Sequence, residues 1–153
     1  WRVLTCMGYL LTSSGGYWIL EPFPRLINQY STGTEFLTLF NYNDSIYLFS
    51  YNATTDQGKV IRDDKTELTT LFTFTNNLSI ITDVAEFNDV MYIGLKNGEI
   101  WSYNKTAFSM IESFDNSISS LYGDSTYLYI GFTNSSTIIL YNGLEFFEST
   151  VEV

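Results

Sequence analysis

The stretch "NDVMYIGLKNGEIWSYN", residues 88–104, is followed by a near copy of itself, "STYLYIGFTNSSTIILYN", residues 125–142. Tyr92-Ile93-Gly94 falls on Tyr129-Ile130-Gly131, and each run then passes through a turn into a second apolar run that ends in Tyr-Asn. Earlier in the chain "NDSIYLF", residues 43–49, aligns with "NDVMYIG", residues 88–94, and places Tyr47 with Tyr92 and Tyr129. A weaker fourth copy results when "YLLTSSGGYWILEP", residues 9–22, is laid on residues 91–104, pairing Gly16 with Gly98 and Trp18 with Ile100.

Each copy reads as four short strands. In residues 78–117 these are "IITDVAEF", "VMYIGL", "EIWSY" and "AFSMIESF", separated by turns at Asn88-Asp89, Asn97-Gly98 and Asn104-Lys105. Asn-Gly between two apolar runs is a strong hairpin signal. Residues 118–151 repeat the order as "ISSLY", "YLYIGF", "TIILY" and "LEFFESTV", with turns at Gly123-Asp124, "TNSS" and Asn142-Gly143. A period of about forty residues with four strands per unit is the signature of propeller blades. The second strand is apolar on both faces, as a sheet sandwiched between two others requires, and Gly94 and Gly131 mark close approaches of neighbouring backbones.

The fold class expected is therefore all-β: a β-propeller of about four four-stranded blades within one domain, residues 1–153. The approximate blades are 1–36, 37–77, 78–117 and 118–153. They form either a compact four-bladed ring or a piece of a larger one, completed by another chain or by further residues. A β-trefoil lectin, the rival fold, predicts three repeats.

The runs "YIGLKNGEIWSYN" and "YIGFTNSSTIILYNGLEFF" resemble the blade pattern of kelch-like and related propellers over roughly residues 37–151, although most copies lack the kelch double glycine. Similar blades occur in phage virion and tail proteins and in extracellular proteins. The resemblance implies a non-catalytic structural or recognition module of a virion or extracellular assembly, with other protein subunits as partners. Alternatives are a propeller that binds or degrades polysaccharide, or a lectin with a glycan ligand.

Composition narrows the chemistry. Seven basic and seventeen acidic residues give a net charge of -10, which repels a phosphate backbone, so no nucleic-acid partner is expected. After Lys105 there is no Lys or Arg at all, which leaves the second half strongly acidic and open to a basic partner surface. Cys6 is the single cysteine and histidine is absent. No intrachain disulfide, thiolate zinc cluster, Ser-His-Asp or Cys-His nucleophile can then be built, and folding is expected to need neither metal nor cofactor. No run of eighteen apolar residues is present, so no helical membrane span is expected. The opening "WRVLTCMGYLL" reads as a strand pair rather than a signal peptide, since Thr5, Gly8 and Tyr9 interrupt it. An opening residue other than Met fits a processed protein or part of a longer one.

Second-to-third strand turns and blade-to-blade connections emerge on one face of such a ring, and loops on a rigid scaffold are where binding residues concentrate. The candidate ligand or partner residues on that face are Tyr51, Asn52, Asp56, Asn76, Asn77, Asp115 and Asn116. The same residue types are also ordinary turn formers. No catalytic or metal-binding residue is assigned. Asp63-Asp64 and the Asn-Asp pairs lack the spacing of a calcium loop, and a glycosidase pair would have to be drawn from Asp83, Glu86, Asp115 and Asp124. Asn43, Asn52, Asn77, Asn104 and Asn134 each begin an Asn-x-Ser/Thr sequon.

Overall fold

The structure, a computed structural model, describes the backbone of residues 3–6, 9–14, 17–21, 25–27, 33–64, 67–75 and 79–150, and the side chains from residue 33 to 149 within that set, Phe36 excepted. Sixteen strands among these residues form four antiparallel sheets, each with its strands side by side in chain order. The first sheet holds β1 (Val3–Cys6), β2 (Tyr9–Ser14), β3 (Tyr17–Glu21) and β4 (Arg25–Ile27). The second holds β5 (Thr34–Tyr42), β6 (Ser45–Asn52), β7 (Gln57–Asp63) and β8 (Leu68–Phe74). The third holds β9 (Ile81–Phe87), β10 (Val90–Leu95), β11 (Glu99–Tyr103) and β12 (Phe108–Ser113), and the fourth β13 (Ile118–Gly123), β14 (Leu128–Phe132), β15 (Thr137–Tyr141) and β16 (Phe146–Thr150).

Turn chemistry explains the strand ends. Asn43-Asp44 and Asn88-Asp89 all have positive φ (49°, 59°, 51° and 59°), the two-residue turn whose twist matches the flanking strands. These pairs are thus hairpin corners. The first copy departs from the expected alignment. Its second turn has two residues where the third sheet has three, and Ser13 pairs with Trp18 where Gly94 pairs with Ile100. Laying Trp18 on Ile100 therefore puts β2 one residue out of register; Gly16 itself lies outside the described residues.

Packing follows from the two-sided apolar strands. On β10, Met91, Ile93 and Leu95 enter one core with Tyr47, Phe49, Val60 and Phe74 of the second sheet. Tyr92 enters the other core, with Ile118, Leu121, Leu128 and Ile130 of the fourth. The third sheet is thus buried on both faces, and Gly94 leaves room for the next sheet: a Cβ there would stand 2.7 Å from Ile118 Cγ2. Burial pushes the Tyr47 and Tyr92 phenols up to about 12, so both stay neutral in the core.

The first strands of the second, third and fourth sheets lie next to one another, β5 beside β9 and β9 beside β13, and each carries a register shift at the same place, beside Leu37, Thr82 and Ser119. Such bulges bend and twist a strand where it leaves the regular ladder. Just beyond the bulge, Asp83 accepts two backbone hydrogen bonds, from its own neighbour Val84 at 2.9 Å and from Leu121 of the next sheet at 2.8 Å.

Two predictions follow from this packing. Leu48, Ile93 and Ile130 are 1%, 0% and 0% exposed, so truncating any one to Ala should cost about 2–5 kcal/mol in urea unfolding; losses under about 0.5 kcal/mol at all three would contradict the assignment. Asp83→Ala leaves two amides without their acceptor and should cost about 1–3 kcal/mol, while a wild-type midpoint would show that the inter-sheet bond contributes nothing.

Candidate functional site

Antiparallel order puts the second-to-third strand turns and the sheet-to-sheet connections at one end of the blades. The structure ties these two sets of loops together in the same way three times. Ala53 N donates to Gly33 O at 3.3 Å, Lys96 N to Ile80 O at 2.9 Å and Thr133 N to Ser117 O at 2.9 Å, so the segment entering each sheet is bonded to that sheet's own second turn. Ser117 Oγ also donates to Lys96 O, and Phe114 N donates to Gly98 O at 3.0 Å. Gly98 has φ +89° and a Cβ there would stand 2.0 Å from Phe114 O, so the belt has room for glycine only.

The expected site residues divide on this belt. Asn52 is 6% exposed. Its Oδ1 accepts the Thr54 and Thr55 amides at 2.9 and 3.1 Å and its Nδ2 donates to Thr34 at 3.0 Å, so it folds its own loop. Burial also closes its sequon in the folded chain. Tyr51 donates to Asp56 Oδ1 at 2.7 Å, a bond that raises the Tyr51 phenol above its ordinary value. Asp56 has φ 51° and its carbonyl accepts from Ser79 Oγ at 3.0 Å. These three form a self-contained turn. Asn76 and Asn77 lie outside the described residues.

Asp115 and Asn116 are placed differently. Both are exposed and stand at the mouth of an open cleft of about 220 Å³, lined also by Phe114, Phe132, Ser135, Thr137, Ile139 and Glu148. Its wall is aromatic, since Phe114 packs edge-on against Phe132 with centroids 5.1 Å apart and against Phe146 at 5.7 Å. Its polar groups include two carboxylates. The volume falls short of the roughly 300–1,000 Å³ of small-molecule sites and suits one inserted side chain. Sequence reading missed Glu148, on the outer strand β16, and Phe114 and Phe132, which in one dimension look like any strand aromatic.

Of the four carboxylates considered for glycoside hydrolysis, Asp115 and Asp124 stand too far apart to act as a pair. Asp115 precedes β13 and Asp124 follows it, at opposite ends of a six-residue strand. At about 3.3 Å per residue that separation exceeds the ~5–9.5 Å of glycosidase pairs. Asp83 is committed to two backbone amides, and Glu86 is exposed on β9. Asp124 accepts the Tyr127 amide at 2.8 Å, the Thr126 amide at 2.6 Å and the Tyr129 hydroxyl at 3.0 Å. The Tyr127 and Thr126 amides hold its carboxyl below the ordinary value of 3.8, the wrong direction for a general acid. Among the described residues no three His, Cys, Asp or Glu side chains come together as metal ligands, and no helix is long and apolar enough to cross a membrane.

No protein-family model matches the chain, and no curated protein matches it. Solved structures do. Sqt1 of Saccharomyces cerevisiae aligns with a TM-score of 0.65 at 16% identity, over 92% of this chain and 43% of that one. The Cps50 (Swd1) β-propeller domain of Myceliophteria thermophila aligns at 0.58 and 11%, over 90% and 48%. A chain of the Mitotic Checkpoint Complex aligns at 0.59 and 11%, over 92% and 44%. At such identities the likeness concerns fold alone, and with the four sheets it shows that the chain has the blade architecture of a β-propeller. The chain spans less than half the length of each of these three.

The lowered carboxyl of Asp124 predicts a pH effect. A group ionised more readily in the folded chain contributes stability above its ordinary pKa and loses it as pH falls through the folded value. Asp124→Asn should therefore be less stable than wild type at pH 7, with the gap closing below about pH 3.8. A gap that is constant from pH 7 to 2 would contradict the assignment.

Proposed function

We propose that the protein is a non-catalytic propeller module that recognises a basic side chain of a protein partner in the cleft beside Asp115 and Glu148. The observation that carries this reading is the pairing of an apolar aromatic wall with two carboxylates in a space the size of one side chain. A Lys or Arg side chain buries its aliphatic stem on such a wall while its charged head meets the carboxylates. The net charge of -10 and the lack of any Lys or Arg after residue 105 favour the encounter. One chain of similar fold belongs to a complex, the Mitotic Checkpoint Complex, a setting that fits a module whose work is holding partners. The kelch-like, virion-type or extracellular setting expected from the repeats rests on the resemblance of the repeats alone.

The test is binding to an array of Lys- and Arg-containing peptides beside an array of neutral and acidic oligosaccharides. Basic peptides should bind, more weakly as salt rises. Asp115→Asn and Glu148→Gln should each weaken binding roughly 1.5–5-fold, as for exposed ion pairs. Equal binding by wild type and the double variant, or binding confined to glycans, would overturn the proposal, as would polysaccharide hydrolysis lost in either variant.

A further inference from the structure

The cleft beside Asp115 lies between the third and fourth sheets, and the junction before it, between the second and third, is built on the same positions. Tyr103 and Tyr141 hold one register place on their strands, so Trp101 matches Ile139 and Glu99 matches Thr137. On the last strands Phe108 matches Phe146 and Met110 matches Glu148. Phe74 and Phe114 match as well, since each stands opposite a glycine, Gly58 in one case and Gly98 in the other. In the earlier junction the space beside Phe74 is full. The Trp101 indole packs edge-on against Phe74 with centroids 5.4 Å apart and lies 5.2 Å from Phe72, and its Nε1 donates to Glu99 Oε2 at 2.9 Å. In the later junction two of these three rings are replaced: Ile139 stands where Trp101 does, and Glu112 where Phe72 does. Phe114 remains, edge-on to Phe132. The cleft of about 220 Å³ is the space those two rings would fill, with Ile139 on its wall. Ile139 shares a ladder row with Ile130, which is buried in the core joining the two sheets, so the cleft belongs to a junction whose two sides are both described.

We infer that this space selects arginine over lysine in the partner, an inference that rests on the recognition of a basic side chain proposed above. Trp101 shows what the position accepts: a flat group laid among aromatic rings, with an N–H that reaches a carboxylate. Of the two basic side chains only arginine has that form. Its guanidinium is planar, stacks on aromatic rings and can donate two parallel N–H bonds to one carboxylate. The lysine ammonium is compact and strongly hydrated, with no flat face to set against Phe114 or Phe132. A partner tryptophan would match the shape alone. It would gain nothing from the charge of Asp115 and Glu148, and Glu148 places that charge where the earlier junction has the uncharged Met110. The exchange of rings for an open space and of methionine for glutamate occurs at one junction, and the two changes together describe a flat cation.

The peptide array, remade so that each basic peptide comes in an Arg, a Lys and a Trp version, tests this with the wild-type chain. Arg versions should bind about two- to fivefold more tightly than Lys versions, the margin of a cation set against an exposed ring. Ile139→Trp restores the side chain of the earlier junction and should abolish binding of both, with the β circular-dichroism signal unchanged. The Arg and Lys comparison decides the matter whether or not that variant folds. Lys versions that bind equally or more tightly, and still lose affinity with Asp115→Asn, would overturn the inference and leave recognition of a basic side chain standing. Tightest binding by the Trp versions would overturn it, as would undiminished Arg binding by a folded Ile139→Trp chain. Failure of both Arg and Lys versions to bind would overturn the proposed function and this inference with it.

Discussion

The bond from the Leu121 amide to the Asp83 carboxylate joins two inner strands, and the rest of the arrangement depends on that junction. An inner strand pairs with a ladder partner on one side only, so amides on its other edge need acceptors from elsewhere. Leu121 finds one on the preceding sheet, 38 residues back in the chain. Val84, its counterpart, has no such donor-facing carboxylate before it, because the position matching Asp83 on β5 is Thr38. Asp83 resolves this with its second oxygen, which accepts from Val84. One side chain thus serves both its own sheet and the next. The close approach is completed at Gly123, where a Cβ would stand 2.0 Å from Glu86 O. Inner strands held this near bring the wider faces of the third and fourth sheets into the contact that buries Tyr92 and Ile130.

How much of this could be read in one dimension follows from how local each cause is. The four strands of residues 78–117 are observed within a residue or so of their expected ends, because Asn88-Asp89 and Asn97-Gly98 fix their turns by backbone preferences that neighbours hardly alter. The two-sided apolar pattern of "VMYIGL" was legible for the same reason, since it states how many faces are covered. The repeated bulges were not, because a register shift is a relation between two strands. The first copy aligned imperfectly because its second turn is a residue shorter. Of the site residues, Asn52 and Asp56 were recognisable as loop residues but not as a closed network, which depends on Thr34 and Ser79 arriving from either side. Glu148 and Phe132 reach the cleft only because two sheets meet there, and no spacing along the chain encodes that meeting.

The turn after the third strand shows the same device used twice with different residues. Asn104 accepts the amides of Thr106 and Ala107 at 3.2 and 3.0 Å, and Asn142 accepts those of Leu144 and Glu145 at 2.8 Å each. Tyr103 and Tyr141 each donate a hydroxyl to the carbonyl two residues on, and each stacks on the next aromatic, Phe108 at 4.3 Å and Phe146 at 4.4 Å. The residue after the Asn must take positive φ. Gly143 does so at 97° without penalty, whereas Lys105 does so at 76° and extends its ammonium to 5.8 Å from the Tyr42 ring. A cation over a buried aromatic there offsets some of the backbone strain that glycine avoids.

Loops that satisfy their own polar groups have little left to offer a partner. Along the belt, Asn52, Ser79, Asp56 and the Gly33, Ile80 and Ser117 carbonyls are all engaged by the chain itself, so substituting them disturbs folding before it touches recognition. Asp115 stands apart: it is exposed, at the rim of a cleft, on a connection whose backbone is already anchored through Phe114 and Ser117. Its side chain can change while the belt holds. That separation of anchored backbone from free side chain is what lets a rigid repeat scaffold acquire a particular partner. On the proposed reading, specificity would rest with the few outward residues of the cleft rather than with the many polar residues of the loops.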